Sequence, residues 1–141
     1  MIRPARTKDA KSVFNLLGQL GYSSKLNRIE EILSSSNEDS QSTVYVYELS
    51  GKVVGFISLM QFLYFPTAQN IMRVTALCVD AEYRNLSIGS QLLKFAEKLA
   101  ESSGDAFIEI SCSLEREQAH QFYLKHQYSK HSYKFVKRLL A

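Results

Sequence analysis

The segment Arg84-Asn85-Leu86-Ser87-Ile88-Gly89-Ser90 combines residue types that suit one chemistry, the binding of an anion by backbone groups. The apolar, β-branched run 71–79 ends in a polar turn, and from Ser87 onward the apolar period changes from strand-like to helix-like. A strand that feeds a helix through a tight polar loop leaves several N–H groups without partners at the helix start. The positive end of the helix dipole lies at the same place. This loop is therefore expected to hold a phosphate-bearing cofactor. A bare βα connection would need the same turn-forming residues, so the surrounding elements must decide.

Those elements can be read from period and turn chemistry. Residues 2–4 suit a short strand before Thr7, an N-cap candidate. Val13, Leu16, Leu17 and Leu20 mark a helix that ends near Gly18 and Gly21, and Leu26, Ile29, Ile32 and Leu33 mark a second. The polar stretch 34–40 reads as a loop. Strands follow at 43–49 and 53–62, joined by the turn Ser50-Gly51-Lys52, and after a break at Pro66 a third runs over 71–79. A helix is expected over 87–102 with Ile88, Leu92, Ala96 and Leu99 on one face, closed by Gly104. Then come a strand at 107–112, a helix at 115–126, and a final strand pair or hooked strand over 128–139. A meander followed by a βαβ crossover predicts an α/β fold. Its sheet should be mixed and mostly antiparallel, with helices on both faces. Ligand is then expected at the carboxyl ends of the strands flanking the crossover.

Bulk properties narrow the class. A chain of 141 residues with 45% hydrophobic and 22% charged residues suits one globular domain spanning 1–141. The net charge of +3 is mild, and no run of Lys or Arg reads as a nucleic-acid arm. No segment approaches the ~20 apolar residues that span a bilayer, so no membrane partner is expected. Cys78 and Cys112 are read as buried free thiols in a cytoplasmic protein, and no His or Cys cluster has zinc spacing, so no metal is expected.

Over nearly its whole length the chain resembles the GNAT-superfamily N-acetyltransferases. The family's cofactor loop, Gln/Arg-x-x-Gly-x-Gly/Ala, stands here as Arg84-Asn85-Leu86-Ser87-Ile88-Gly89, and Leu77-Cys78-Val79 matches its strand end. Downstream, Ala119-His120-Gln121-Phe122-Tyr123 and then Tyr128 match the family's last block. Within the superfamily, residues 84–97 and 119–128 look closest to aminoalkylphosphonate and related small-amine N-acetyltransferases. Several positions depart from the pattern. Ser87 and Asn85 replace glycines, Gln127 replaces a helix-closing glycine, and Ala76 stands where relatives often carry a glutamate base. Asn tolerates the left-handed region, and Ser87 can cap the helix and offer its hydroxyl to phosphate.

The resemblance implies acetyl-CoA as co-substrate and the primary amine of a small molecule as acceptor. It implies that backbone groups of Leu77, Cys78 and Val79 hold the pantetheine arm. Arg84, Asn85, Leu86, Ser87, Ile88, Gly89 and Ser90 would hold the pyrophosphate, with Ser113 contacting the arm or merely capping a helix. Tyr123 stands at the general-acid position, on a helix face shared with Ala119, Phe122 and His126 that could equally be core. With Ala76 unable to act, Glu109 is the first choice of base, ahead of His120, His131 and Tyr133. Tyr45, Tyr47, Tyr64 and Phe65 either line an acceptor pocket or pack. Two alternatives stand beside small-amine acetylation: a non-catalytic acyl-CoA-binding module, and an enzyme acting on protein amines. Dimerisation through the C-terminal strand region, common in the family, leaves a homodimer open.

Overall fold

The computed structural model describes residues 1–34 and 42–140. The expected loop at 34–40 lies outside them, apart from Ser34, which closes a helix. The described residues fall into two compact units, Met1–Ile110 and a second beginning at Ser111.

The first unit is a five-stranded sheet in the order β1-β2-β3-β4-β5. Strands β1 (Ile2–Pro4), β2 (Ser42–Leu49), β3 (Lys52–Tyr64) and β4 (Gln69–Val79) pair antiparallel, whereas β5 (Ile108–Ile110) is parallel to β4. Ser50 (φ 51°) and Gly51 (φ 79°) both take positive φ, the backbone that lets a two-residue hairpin follow the strand twist. Helices α1 (Ala10–Leu20) and α2 (Leu26–Ser34) cover one face through Val13, Leu16 and Ile29, against Val46, Phe56 and Cys78. Gly21, at φ 99°, ends α1 with its N–H bonded back to Gly18 O.

Helix α3 (Ile88–Ser102) covers the opposite face and buries Leu92, Leu93, Ala96 and Ala100. Full burial of each leucine contributes about 1.5–3 kcal/mol. Tyr45 and Tyr47, one face away from Val46, meet this helix: the Tyr45 ring lies edge-on to Phe95, and the Tyr47 hydroxyl donates to Gln91 Oε1 at 3.1 Å. They are packing residues of α3, not an acceptor pocket. Gly55 lets α3 come close, since a Cβ there would lie 3.1 Å from the Cys78 carbonyl and 3.4 Å from Ile88 and Leu92 side-chain carbons.

The second unit holds α4 (Glu117–Lys125). The expected strand pair over 128–139 is absent, and no strand is present among residues 111–140. Residues 129–140 are exposed throughout. Alternating aromatic and basic residues give a segment strand propensity, but a strand exists only when a partner supplies its ladder.

Candidate active site

The site in the first unit begins where the sheet stops being continuous. The parallel β4–β5 ladder covers Met72↔Ile108, Arg73↔Glu109 and Val74↔Ile110, and then ends. At the same point the β3–β4 register slips: Leu59 faces Val74, and Ser58 faces Ala76. Thr75 is thus an extra residue, a β-bulge, and its hydroxyl bonds the Ser58 hydroxyl at 2.8 Å. Beyond it, β4 keeps β3 on one side and has no strand partner on the other among the described residues. The Asp80 N–H donates to Val54 O. By antiparallel alternation, residues 78 and 76 then also turn their backbone groups to β3, whereas Leu77 and Val79 turn theirs into the split. These are the positions expected to hold an extended ligand arm. Cys78 faces the other way, buried, with its thiol donating to Leu16 O at 3.3 Å. That is the setting of a small core residue.

The loop after β4 is anchored at several points. Asp80 Oδ1 accepts from Glu82 N, Gln19 Oε1 at the end of α1 accepts from Ala81 N, and the Lys52 ammonium lies 5.2 Å from the Tyr83 ring centroid. Arg84 is exposed and its Nε donates to Val79 O at 3.3 Å. Asn85 (φ 67°) and Ser87 (φ 63°) are both left-handed, the conformation that explains the family's glycines at such positions. Leu86 between them is exposed. Ser87 makes no side-chain cap, contrary to the expectation for its hydroxyl; only its carbonyl starts the helix, accepting from Gln91 N at 3.0 Å. The N–H groups of Ile88 and Gly89 therefore precede the first intrahelical bond, and Ser90 completes that turn. A left-handed residue leading into a right-handed helix gathers successive N–H groups into a concave nest. Such a backbone can receive an anion, and Asn85 and Ser87 adopt it without glycine.

Glu109 lies on β5 opposite Arg73, and its Oε1 accepts from Arg73 Nε at 2.6 Å. The two residues lie far apart in sequence, and only the parallel register of β4 and β5 brings them together.

In the second unit Tyr123 packs edge-on against Phe122 and Tyr128. Burial, with Cys112 nearby, pushes its phenol up to about 12, so it stays protonated through the physiological range. Burial also raises the Cys112 thiol, so this cysteine has the opposite of nucleophile activation. Ser113 Oγ accepts from Glu115 N at a long 3.5 Å, and its carbonyl lies 2.7 Å from His120 Nε2. His131 and Tyr133 are exposed. Gln127 takes φ 71° where relatives place glycine, and Tyr128 N bonds Tyr123 O at 3.0 Å, closing α4.

Comparison with known proteins gives the family and the fold. Residues 11–128 match the model of the acetyltransferase (GNAT) family. An aminoalkylphosphonate N-acetyltransferase of Salmonella typhimurium is 32% identical over 98% of this chain and 90% of its own length. Among solved structures, a transcriptional regulator from Bacillus halodurans (TM-score 0.85, 19% identity) covers 99% of both chains. A ribosomal-protein-alanine N-acetyltransferase from Brucella melitensis (TM-score 0.81, 17% identity) also covers 99% of both. These two likenesses show a common fold. The chain belongs to the GNAT family of acetyltransferases.

Proposed function

We propose that the protein moves an acetyl group from acetyl-CoA to the primary amine of a small molecule, by direct attack in a ternary complex. The observation that carries this reading is the split between β4 and β5, into which the backbone of Leu77 and Val79 turns, with the Val79 carbonyl held by Arg84, followed by the N–H groups at the start of α3. The Salmonella relative makes aminoalkylphosphonates the first acceptors to try.

In this mechanism the backbone of Leu77 and Val79 aligns the pantetheine arm as a strand would, and residues 84–90 hold the pyrophosphate. Glu109 accepts a proton from the acceptor ammonium through Oε2, which makes no hydrogen bond among the described residues. Tyr123 donates a hydrogen bond to the sulfur as the C–S bond breaks. A phenol near 12 is a poor acid toward a free thiolate, so its work is to stabilise developing charge, and the proton lost by the attacking nitrogen closes the balance. Neither cysteine is in a disulfide, which suits a cytoplasmic setting. A second copy of the chain is the partner proposed for the exposed apolar residues near the C-terminus.

Replacing Tyr123 with Phe should lower kcat about 100-fold or more while leaving the Kd for acetyl-CoA nearly unchanged. Loss of cofactor binding instead would count against Tyr123 acting on the sulfur in the reaction. Tight binding of acetyl-CoA with no turnover on any amine would favour a non-catalytic acyl-CoA-binding module, for which the missing carboxylate at Ala76 speaks.

A further inference from the structure

Arg73 and Glu109 form an ion pair next to the place where β4 and β5 part. Their rung is the last but one of the parallel ladder. The Thr75 bulge adds one residue to β4, so Arg73 and Ala76 project from the same face although they are three residues apart. Phe62 and Met60 on β3 share that face, and the Arg73 guanidinium lies 4.8 Å from the Phe62 ring centroid. Both side chains of the pair are partly exposed, at 39% and 35%.

A pair this open to water adds little to stability. Its geometry is that of a prepared donor array. Stacking on Phe62 and bonding to Glu109 through Nε and Nη2 fix the plane of the guanidinium. Nη1 makes no hydrogen bond among the described residues, and neither does Glu109 Oε2. A fixed cation fork and an open carboxylate oxygen thus lie side by side on the face that also carries Ala76, the position of the absent base.

We propose that Arg73 is the specificity residue for the acceptor, binding an oxyanion carried by the same small molecule whose ammonium approaches Glu109. The inference rests on the acetyltransferase reading above and names the acceptor class of that site: a short amine bearing a phosphonate or a carboxylate. Arg is suited to both, since its planar fork can give two parallel N–H bonds to either group.

The test compares initial rates on an aminoalkylphosphonate, an ω-amino acid and a plain alkylamine of equal chain length, for the wild type and for Arg73→Gln and Arg73→Lys. With Arg73→Gln, kcat/KM should fall about 10- to 100-fold more for the anionic amines than for the plain amine, the excess lying mainly in KM, and the loss common to all amines reports the contact with Glu109. Arg73→Lys, which keeps the charge but not the fork, should fall between, and it carries the test if the Gln variant does not fold. The phosphonate and carboxylate arms show which oxyanion is preferred. Equal losses on anionic and plain amines, or none on either, would overturn the inference while leaving acetyl transfer intact. A wild type that acetylates no amine in the panel would instead overturn the acetyltransferase reading.

Discussion

At the scale of single residues, the ion pair that matters most for stability is the buried one between Arg3 and Asp9. Arg3 bonds both carboxylate oxygens of Asp9, at 2.8 and 3.0 Å, and reaches Glu48 at 3.1 Å. Asp9 is 4% exposed and also accepts from Arg6 N at 2.8 Å. The Arg3 guanidinium holds the Asp9 carboxyl below its ordinary value of 3.8. A carboxyl depressed in the folded state stabilises the fold above its unfolded pKa, and this is lost as pH falls from there through the folded pKa. Asp9→Asn should therefore cost about 2–4 kcal/mol at pH 7, because it leaves a half-buried guanidinium short of charge. The deficit should shrink below about pH 4, and denaturant titrations at pH 7 and pH 3 check both statements. Asp9 meets Arg3 and Arg6 within a few residues of chain, whereas Glu48 joins Arg3 only because the sheet pairs β1 with β2.

At the scale of elements, the approach of α3 to the sheet sets where its N-terminus sits. A methyl at Gly55 would be 3.1 Å from a backbone oxygen, which cannot move as a flexible side chain would. Gly55→Ala is expected to cost about 1–3 kcal/mol and to weaken acetyl-CoA binding, as read by denaturation and calorimetric titration. If stability falls while binding holds, the helix start does not depend on this contact. Ser87→Gly should act in the other direction. It removes the strain of a left-handed serine at the helix start, where the hydroxyl caps nothing, so stability should rise by about 0.5–1 kcal/mol with binding kept. The element order was legible because period, turn residues and the loop motif all pointed the same way. The strand expected at 128–139 was not found, because strand propensity says nothing about whether an edge is available to pair with.

At the scale of the whole molecule, the C-terminal segment gathers several strongly exposed apolar side chains. Tyr133, Phe135, Val136, Leu139 and Leu140 are each at least 76% exposed. Exposed apolar residues gathered in one segment mark an interaction surface. With a second copy as the proposed partner, ending the chain after Tyr128 should leave the unfolding free energy within about 0.5 kcal/mol and lower the mass in solution from that of a dimer to that of a monomer. Light scattering on both forms tests this, and a monomeric full-length chain would count against a second copy as partner.

What the sequence determined by itself was whatever depends on local order: the strand–loop–helix that makes the N–H nest, the left-handed positions at Asn85 and Gln127, the tyrosine helix, and through them the family. Those features are properties of short stretches of chain, whose conformation is set by neighbours a few residues away. The tertiary structure alone decided what depends on register between strands. It set the bulge at Thr75, the split into which Leu77 and Val79 turn their backbone, and the pairing of Arg73 with Glu109 on the face of Ala76. A one-residue slip moves a side chain to the other face of a sheet, and the chain does not show such a slip until its strands are paired.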